Sequence, residues 1–355
     1  MNPIRVLIAD DSALARGLLR AVLAAEPGIE VVGEATNGRE AAAMVHELRP
    51  NLVSMDLEMP VMGGLEAIEE IMATKAVPIL VVSDIADARN ACEAIRRGAL
   101  EVICKPEIDS PSAAEFVAKV RMLATIPVIT HLRRRKDAAV VLPAAAPSAV
   151  AVAMPASYRR IFAIASSTGG PQALAQILPQ LPPGFPSPVL VAQHISDGFA
   201  AGMAQWLGGL CRLPVRLGCD GELVLPGTIY IAPSETHMAV TNARRLSLLP
   251  RQSGDIYHPN CDVLLTTAAN VFGAKAVGVI LTGMGHDGAA GLAAIRQAGG
   301  TTIAQDEASS VIYGMNGIAV ARGAAQRVLA LSEIGAALCA LAAEDAFAHM
   351  SGSWA

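Results

Sequence analysis

The chain lacks any pair of cysteines spaced for a metal or redox motif. Its six cysteines, Cys92, Cys104, Cys211, Cys219, Cys261 and Cys339, are scattered, and no two form C-x-x-C. In 355 residues such cysteines are expected to be reduced, buried apolar residues, with no metal site built from them. No apolar run reaches the roughly 18–20 residues that cross a bilayer. The opening MNPIRVLIAD has no signal-peptide layout. A cytoplasmic location without direct membrane insertion is the expectation. A basic excess is also missing. Lysine and arginine number 27 against 32 acidic residues, a net charge of -5, so nucleic acid is not an expected partner. What remains is 53% hydrophobic residues, enough for two domains that each bury a core.

The first half alternates short apolar runs with amphipathic stretches. Strands are predicted at 6–10, 31–35, 52–56, 79–83 and 102–105, and helices at 12–25, 38–48, 64–73, 87–97 and 112–123. Such alternation means βαβ units and a parallel sheet covered on both faces. The strand ends are informative. Strand one ends in Asp10 and Asp11, strand three in Asp56, strand four in Ser83 and strand five in Lys105. Carboxyl ends share one edge of an open parallel sheet, where ligands bind. Three carboxylates there need a compensating charge, which Mg²⁺ supplies with its preference for oxygen ligands. A lysine and a hydroxyl beside them suit a phosphoryl group carried on one carboxylate. Each residue alone is readily explained as a cap or a solvated charge; their coincidence at strand ends is not.

On these residues the stretch 3–124 closely resembles the receiver domain of two-component response regulators. The resemblance implies a flavodoxin-like fold with Asp56 as phosphoacceptor. It implies Mg²⁺ held by Asp10, Asp11 and Asp56 with the backbone that follows, and Ser83 and Lys105 on the phosphoryl oxygens. Family members usually carry a cis peptide at the position matching Pro106. Two positions depart from the family: Gly63 stands where an aspartate is common, and Val102 where a switch aromatic is common.

Residues 125–157 change texture. LRRRKD at 132–137 precedes a run rich in alanine, proline and serine, which reads as an interdomain linker. The cluster Arg133, Arg134, Arg135 and Lys136 reads as a solvated helix end more readily than as a grip on an acidic partner or a membrane surface.

The βα texture returns in the second half. Strands are predicted at 161–166, 189–194, 228–232, 276–282, 301–305 and 327–331. A hairpin is predicted at 238–249, and helices at 171–180, 260–272, 288–298 and 334–343. The key stretch is IFAIASSTGGP at 161–171. It holds a serine at a sharp strand-to-helix turn, with Pro171 suited to the first helical position. Esterases display a nucleophile this way, and a phosphate-binding turn has the same look. His194 and Asp287 end sibling strands. Together they can activate a serine, whose hydroxyl is a weak nucleophile at neutral pH. Of seven histidines, His194 is preferred because it ends a buried strand. His237 and His258 fall in loop-like segments, and His286 adjoins Asp287, where sequence neighbours usually point apart. A rival reading uses Gly283-x-Gly285-x-x-Gly288, a dinucleotide fingerprint with Asp306 downstream, for a nucleotide-dependent oxidoreductase. That fingerprint normally opens a domain at its first strand, and it leaves Ser167 and His194 unexplained. A third reading is a phosphorylation-controlled binding module with an inactive esterase domain.

S-T-G-G-P, Q-H, A-P-S-x-x-H-M at 232–238, L-T-G-M-G-x-D-G-A-x-G at 281–291 and S-S-V-I-Y-G-M at 309–315 occur together in one family. Residues 158–345 resemble the catalytic domain of chemotaxis protein-glutamate methylesterases (CheB), whose N-terminal partner is a receiver. The resemblance implies an α/β chain of two doubly wound, mainly parallel domains, the second Rossmann-like, with 346–355 as a frayed tail. It implies a triad of Ser167, His194 and Asp287. The developing oxyanion needs fixed N–H donors, for which the amide of Thr168, next after the nucleophile, and that of Met284 are the candidates. No cofactor is implied for hydrolysis. The implied substrates are glutamate γ-methyl esters and particular glutamines on chemoreceptor cytoplasmic helices. A chemotaxis-type sensor histidine kinase is the implied phosphodonor, and recruitment to receptor clusters is implied. Ile195-Ser196 and Asn316 depart from the family's usual Met-Pro and proline.

Overall fold

The computed structural model describes residues 2–83, 88–107, 110–128, 158 and 160–347. Two parallel sheets organise it. The first unit runs β1 (Ile4–Ala9), α1 (Ala13–Ala24), β2 (Ile29–Ala35), α2 (Gly38–Leu48), β3 (Leu52–Met55), α3 (Gly64–Thr74), β4 (Ile79–Ser83), α4 (Ala88–Arg96), β5 (Glu101–Cys104) and α5 (Pro111–Leu123). Its sheet order is β2-β1-β3-β4-β5, the flavodoxin-like order, with the topological switch between β1 and β3. Strand residues alternate between two cores: Leu7 and Ala9 face one, Val6 and Ile8 the other. Each buried valine, leucine or isoleucine there contributes about 1.5–3 kcal/mol, which is why both sheet faces are covered.

The second unit runs β6 (Ile161–Ser166), α6 (Gly170–Ile177), β7 (Val189–Gln193), α7 (Ala200–Leu210), β8 (Val215–Leu217), β9 (Ile229–Ile231), β10 (Thr236–Val240) and β11 (Leu246–Pro250). It continues with α8 (Cys261–Phe272), β12 (Ala276–Ile280), α9 (Ala289–Gln297), β13 (Thr301–Gln305), α10 (Met315–Ala321), β14 (Arg327–Leu329) and α11 (Leu331–Phe347). The sheet order is β14-β13-β12-β6-β7-β9-β8, every pairing parallel. The antiparallel hairpin β10-β11 stands apart. Phe162 and Ile164 of β6 enter one core, and Ile161, Ala163 and Ala165 the other. The chain moves from β6 outward to β7, then restarts on the other side at β12. The switch point therefore lies at β6, and the ends of β12, β6 and β7 are neighbours.

Several expectations are corrected. Gly169 caps α6 with φ +78° and Gly170 is its first residue, so Pro171 occupies the second position. That amide is also one with no intrahelical partner. His237 lies within β10 and is buried, not in a loop. Ile126 and Val128 still pack on the receiver core beyond residue 124, because their apolar side chains continue its buried face. Helix α11 runs through Phe347, beyond the expected domain end at 345. The Lys105–Pro106 peptide is trans; the cis peptide among the described residues is His258–Pro259. The linker from 129 to 157, its basic cluster and the tail from 348 lie outside the described residues.

The two units touch. Helix α4 packs on α7. Cys92 of α4 lies in an esterase-unit core, and Phe199, just before α7, in a receiver core. Gln172 Nε2 donates to Ala99 O at 2.9 Å, and Thr168 Oγ1 to Glu101 Oε2 at 2.5 Å.

Candidate active site

Ser167 follows β6 in a turn held from three sides. Gln193 Nε2 donates to Ser167 O and to His194 O, both at 2.8 Å, while its Oε1 accepts from Ser166 Oγ at 2.7 Å. Ser167 N donates to Thr282 O at 3.1 Å. The glycines are required by space. A Cβ on Gly170 would meet Gln193 Oε1 at 1.9 Å, and one on Gly283 would meet Ser167 Cβ at 2.5 Å. Ser166 is spent on its bond to Gln193 in the core; Ser167, one residue on, lines a cavity of about 30 Å³ together with Thr168 and His194. The organising role of Gln193 was not read from the sequence.

His194 follows β7, and its Nε2–H donates to Asp287 Oδ2 at 2.7 Å. Asp287 is 1% exposed and also accepts from the amides of Cys261 at 2.6 Å, Asp262 at 2.9 Å and Gly288 at 2.9 Å. Burial works against its charge. The His194 bond and the Cys261 and Asp262 amides, at the N-terminus of α8, outweigh it and hold the carboxyl below the ordinary range. Among the described residues no hydrogen bond joins Ser167 Oγ to His194, and the amides of Thr168 and Met284 are unengaged.

Two further side chains frame His194, and the sequence did not flag either role. Tyr257 stacks on the imidazole, ring centroids 5.1 Å apart and planes 12° from parallel, and His286 meets the Tyr257 ring edge-on. Gly285, φ +89°, makes room for it; a Cβ there would meet the Tyr257 hydroxyl at 2.4 Å. Cys261 Sγ donates to Ala192 O at 3.4 Å and lies 3.4 Å from His194 Nε2. Burial raises its thiol pKa well above normal, which keeps it protonated and inert as a nucleophile. Cys261 Sγ, a His194 nitrogen and an Asp287 oxygen lie within 4.8 Å of one another, so this cysteine is part of the site's wall, not of a remote core.

The glycine fingerprint does not form a pyrophosphate cradle. Its Gly288 amide donates to the Asp287 carboxylate at 2.9 Å, and Tyr257 covers Gly285. Asp306 is spent on Ser309, accepting from its amide at 3.0 Å. His237 bonds Asp255 at 2.8 Å and accepts from Asn260 N at 3.0 Å, a structural position. Asn316 is fully buried, donating to Gln305 O and Ser310 Oγ. Ile195 packs against cores of both units.

The receiver's strand ends gather as well. Lys105 Nζ lies 3.0 Å from Asp10 Oδ2 and 3.3 Å from Asp56 Oδ1. Oxygens of Asp10, Asp11 and Asp56 lie within 4.8 Å of one another. Burial pushes Asp56 up to about 6; Lys105 opposes that rise and Asp10 adds to it. Burial tends to lower Lys105, but its bonds to Asp10 and Asp56 raise it overall. Three carboxylates against one ammonium, all with hard oxygen donors, fit Mg²⁺. Ser83 is fully buried at the end of β4, and its carbonyl accepts from Lys105 N. Gly63 caps α3, its amide donating to Glu66 Oε2. Val102 is buried in the receiver core.

Comparison with known proteins follows the same division. Residues 162–338 match the CheB methylesterase family model, and 6–115 the response regulator receiver domain. A protein-glutamate methylesterase/protein-glutamine glutaminase from Paramagnetospirillum magneticum is 55% identical over 94% of this chain and 95% of its own. One from Anaeromyxobacter dehalogenans is 44% identical, over 95% and 96%. The Thermotoga maritima CheB methylesterase catalytic domain covers 51% of this chain and 98% of its own, at 38% identity and a TM-score of 0.50. The chain belongs to the protein-glutamate methylesterase/protein-glutamine glutaminase family, with a receiver domain ahead of a CheB methylesterase domain.

Proposed function

We propose that the chain hydrolyses glutamate γ-methyl esters on chemoreceptor cytoplasmic helices, and deamidates particular glutamines there, under control of phosphorylation at Asp56. The single observation that carries the reading is the half-buried His194–Asp287 bond beside a cavity that His194 and Ser167 both line. Ser167 Oγ attacks the ester carbonyl, and His194 takes its proton on the nitrogen not bonded to Asp287. Asp287 orients the ring and stabilises its charged form. The Thr168 and Met284 amides serve the oxyanion; removing one such donor typically costs about 3–4 kcal/mol. Methanol leaves with the proton from His194, and water then cleaves the glutamyl-serine ester. The missing Ser167–His194 bond suits a resting state, since such bonds often tighten only with substrate.

The receiver covers this site through Ala99, Glu101 and α4. Strand β5 carries Glu101 at one end and leads to Lys105, bonded to Asp56, at the other. A phosphoryl group on Asp56 draws Lys105 and Ser83 to its oxygens and loosens the cover. Asp10, Asp11 and Asp56 would hold Mg²⁺, which neutralises charge on the phosphoryl group. The donor is a chemotaxis-type histidine kinase, and the protein works in the cytoplasm at receptor clusters. Among the described residues no helix is long and apolar enough to cross a membrane. In this reading the receiver begins near residue 3 and extends through the packed Val128, and the esterase unit begins at 158 and extends through the end of α11 at Phe347. Methanol release from methylated receptor membranes, with and without a small phosphodonor, tests it. Release that is stimulated by the phosphodonor supports the reading; no release overturns it.

A further inference from the structure

One charged receiver side chain lines the cavity between the two units. Glu101 Oε2 accepts from Thr168 Oγ1 at 2.5 Å, and Lys119 of α5 pairs with Oε1. The Glu101 and Lys119 side chains are only 14% and 15% exposed. Glu101 forms one wall of the cavity, and Ser167, Thr168 and His194 form another. The surrounding receiver face is apolar, with Cys92, Ile95, Leu100 and Val102. Exclusion alone would be served better by another apolar residue there. A carboxylate in apolar surroundings is costly unless its oxygens are bonded. Here both oxygens are bonded, one of them to the residue next to the nucleophile.

The chemistry of this contact has a direct parallel. A glutamyl γ-carboxylate is the product of the reaction proposed above. Glu101 places that group against Thr168, whose amide is a candidate oxyanion donor. Resting on the esterase reading, we propose that Thr168 Oγ1 is the side-chain donor that recognises the substrate's glutamyl γ-carboxyl group, and that Glu101 occupies this subsite as an internal product analogue. The carboxylate is stable there because the reaction has already run: no ester or amide bond remains to break. Access for a receptor helix then requires Glu101 to leave Thr168, an intramolecular competition.

The proposal turns the analogue into a substrate when an amide is placed on it. In Glu101→Gln, Ser167 Oγ bonds to the side-chain carbonyl carbon and the C–N bond breaks. Ammonia leaves with the proton carried by His194, and water hydrolyses the acyl-serine to restore glutamate. Intact-mass and peptide analysis of the full-length protein is expected to show the amide converting to the acid. The amide is expected to persist in Glu101→Gln/Ser167→Ala. In methanol release without phosphodonor, Glu101→Ala is expected to lower KM about tenfold with kcat unchanged, because the competent fraction rises. With phosphodonor, Thr168→Val is expected to raise KM, and Thr168→Ser to restore it. Gln172→Ala removes the neighbouring contact to Ala99 without touching the carboxylate and is expected to leave the amide conversion intact. An amide that persists in a protein still active on receptors overturns the proposal, as does an unchanged KM in Glu101→Ala. Wild-type protein that releases no methanol overturns the esterase reading itself.

Discussion

The two sites use one piece of scaffold for opposite electrostatic ends. Each sits where parallel strands end at a topological switch, and each buries an aspartate. Burial raises both carboxyls, so the neighbours decide the outcome. Asp287 receives three backbone amides and the His194 ring, and its pKa falls. Asp56 has Lys105 but also Asp10 beside it, and it stays at about 6. The first is a fully hydrogen-bonded anion, which suits the orienting role proposed for it beside His194. The second is left short of positive charge, which suits a site completed by a cation and a phosphoryl group.

The largest expected effects separate the sites by their chemistry. Ser167→Ala is expected to lower methanol release about 10⁶-fold, by analogy with other serine hydrolases. Asp287→Asn should lower it about 10⁴-fold, through a misdirected imidazole. Phosphorylation of Asp56, followed by phosphate-affinity electrophoresis, should be unchanged in both. Altered phosphorylation would mean that the two sites are not chemically independent.

Next in size is the coupling between them. Asp56→Asn is expected to keep unstimulated methanol release within about twofold and to lose the phosphodonor response, which a shift of about 1.4 kcal/mol makes tenfold. Tyr257→Ala should then lower kcat by up to about tenfold, since an aromatic stack is worth about 0.5–1.5 kcal/mol, with Tyr257→Phe near wild type. A change in KM alone would assign Tyr257 to substrate binding instead of to holding His194.

The smallest effects concern stability, and their signs are opposite. Asp287 has a depressed carboxyl. Its stabilisation is present above the unfolded value of about 3.9 and is lost as pH falls through the lower folded value. Asp56 has a raised carboxyl. Its ionisation destabilises the fold at neutral pH, and that penalty fades as pH falls from above 6 toward 4. With a chelator present, Asp56→Asn should raise Tm at pH 7 and match wild type near pH 4. Asp287→Asn should lower Tm at pH 7. A common sign would break the contrast.

Much of this was legible in sequence because βα units announce their strand ends. Asp10, Asp56, Lys105, Ser167 and His194 each stand at or just beyond a short apolar run, and parallel topology brings such ends to one edge; Asp287 lies farther on, in the loop between β12 and α9. Helix α7 was not legible. Its sequence AAGMAQWLGGL is apolar nearly all round, with no polar face to set a helical period. Helix α10 has only seven residues, too few for a period to show. Tyr257 lies in an irregular stretch, and Glu101 meets Thr168 across 67 residues and two domains. No local pattern encodes such contacts.

The most direct measurement is labelling by a serine-directed fluorophosphonate, mapped by peptide and timed with and without phosphodonor. The expected result is label on Ser167, faster with phosphodonor, with no acceleration in Asp56→Asn. Label on Ser166, or a rate indifferent to Asp56, would contradict a Ser167 nucleophile whose access is controlled from the receiver.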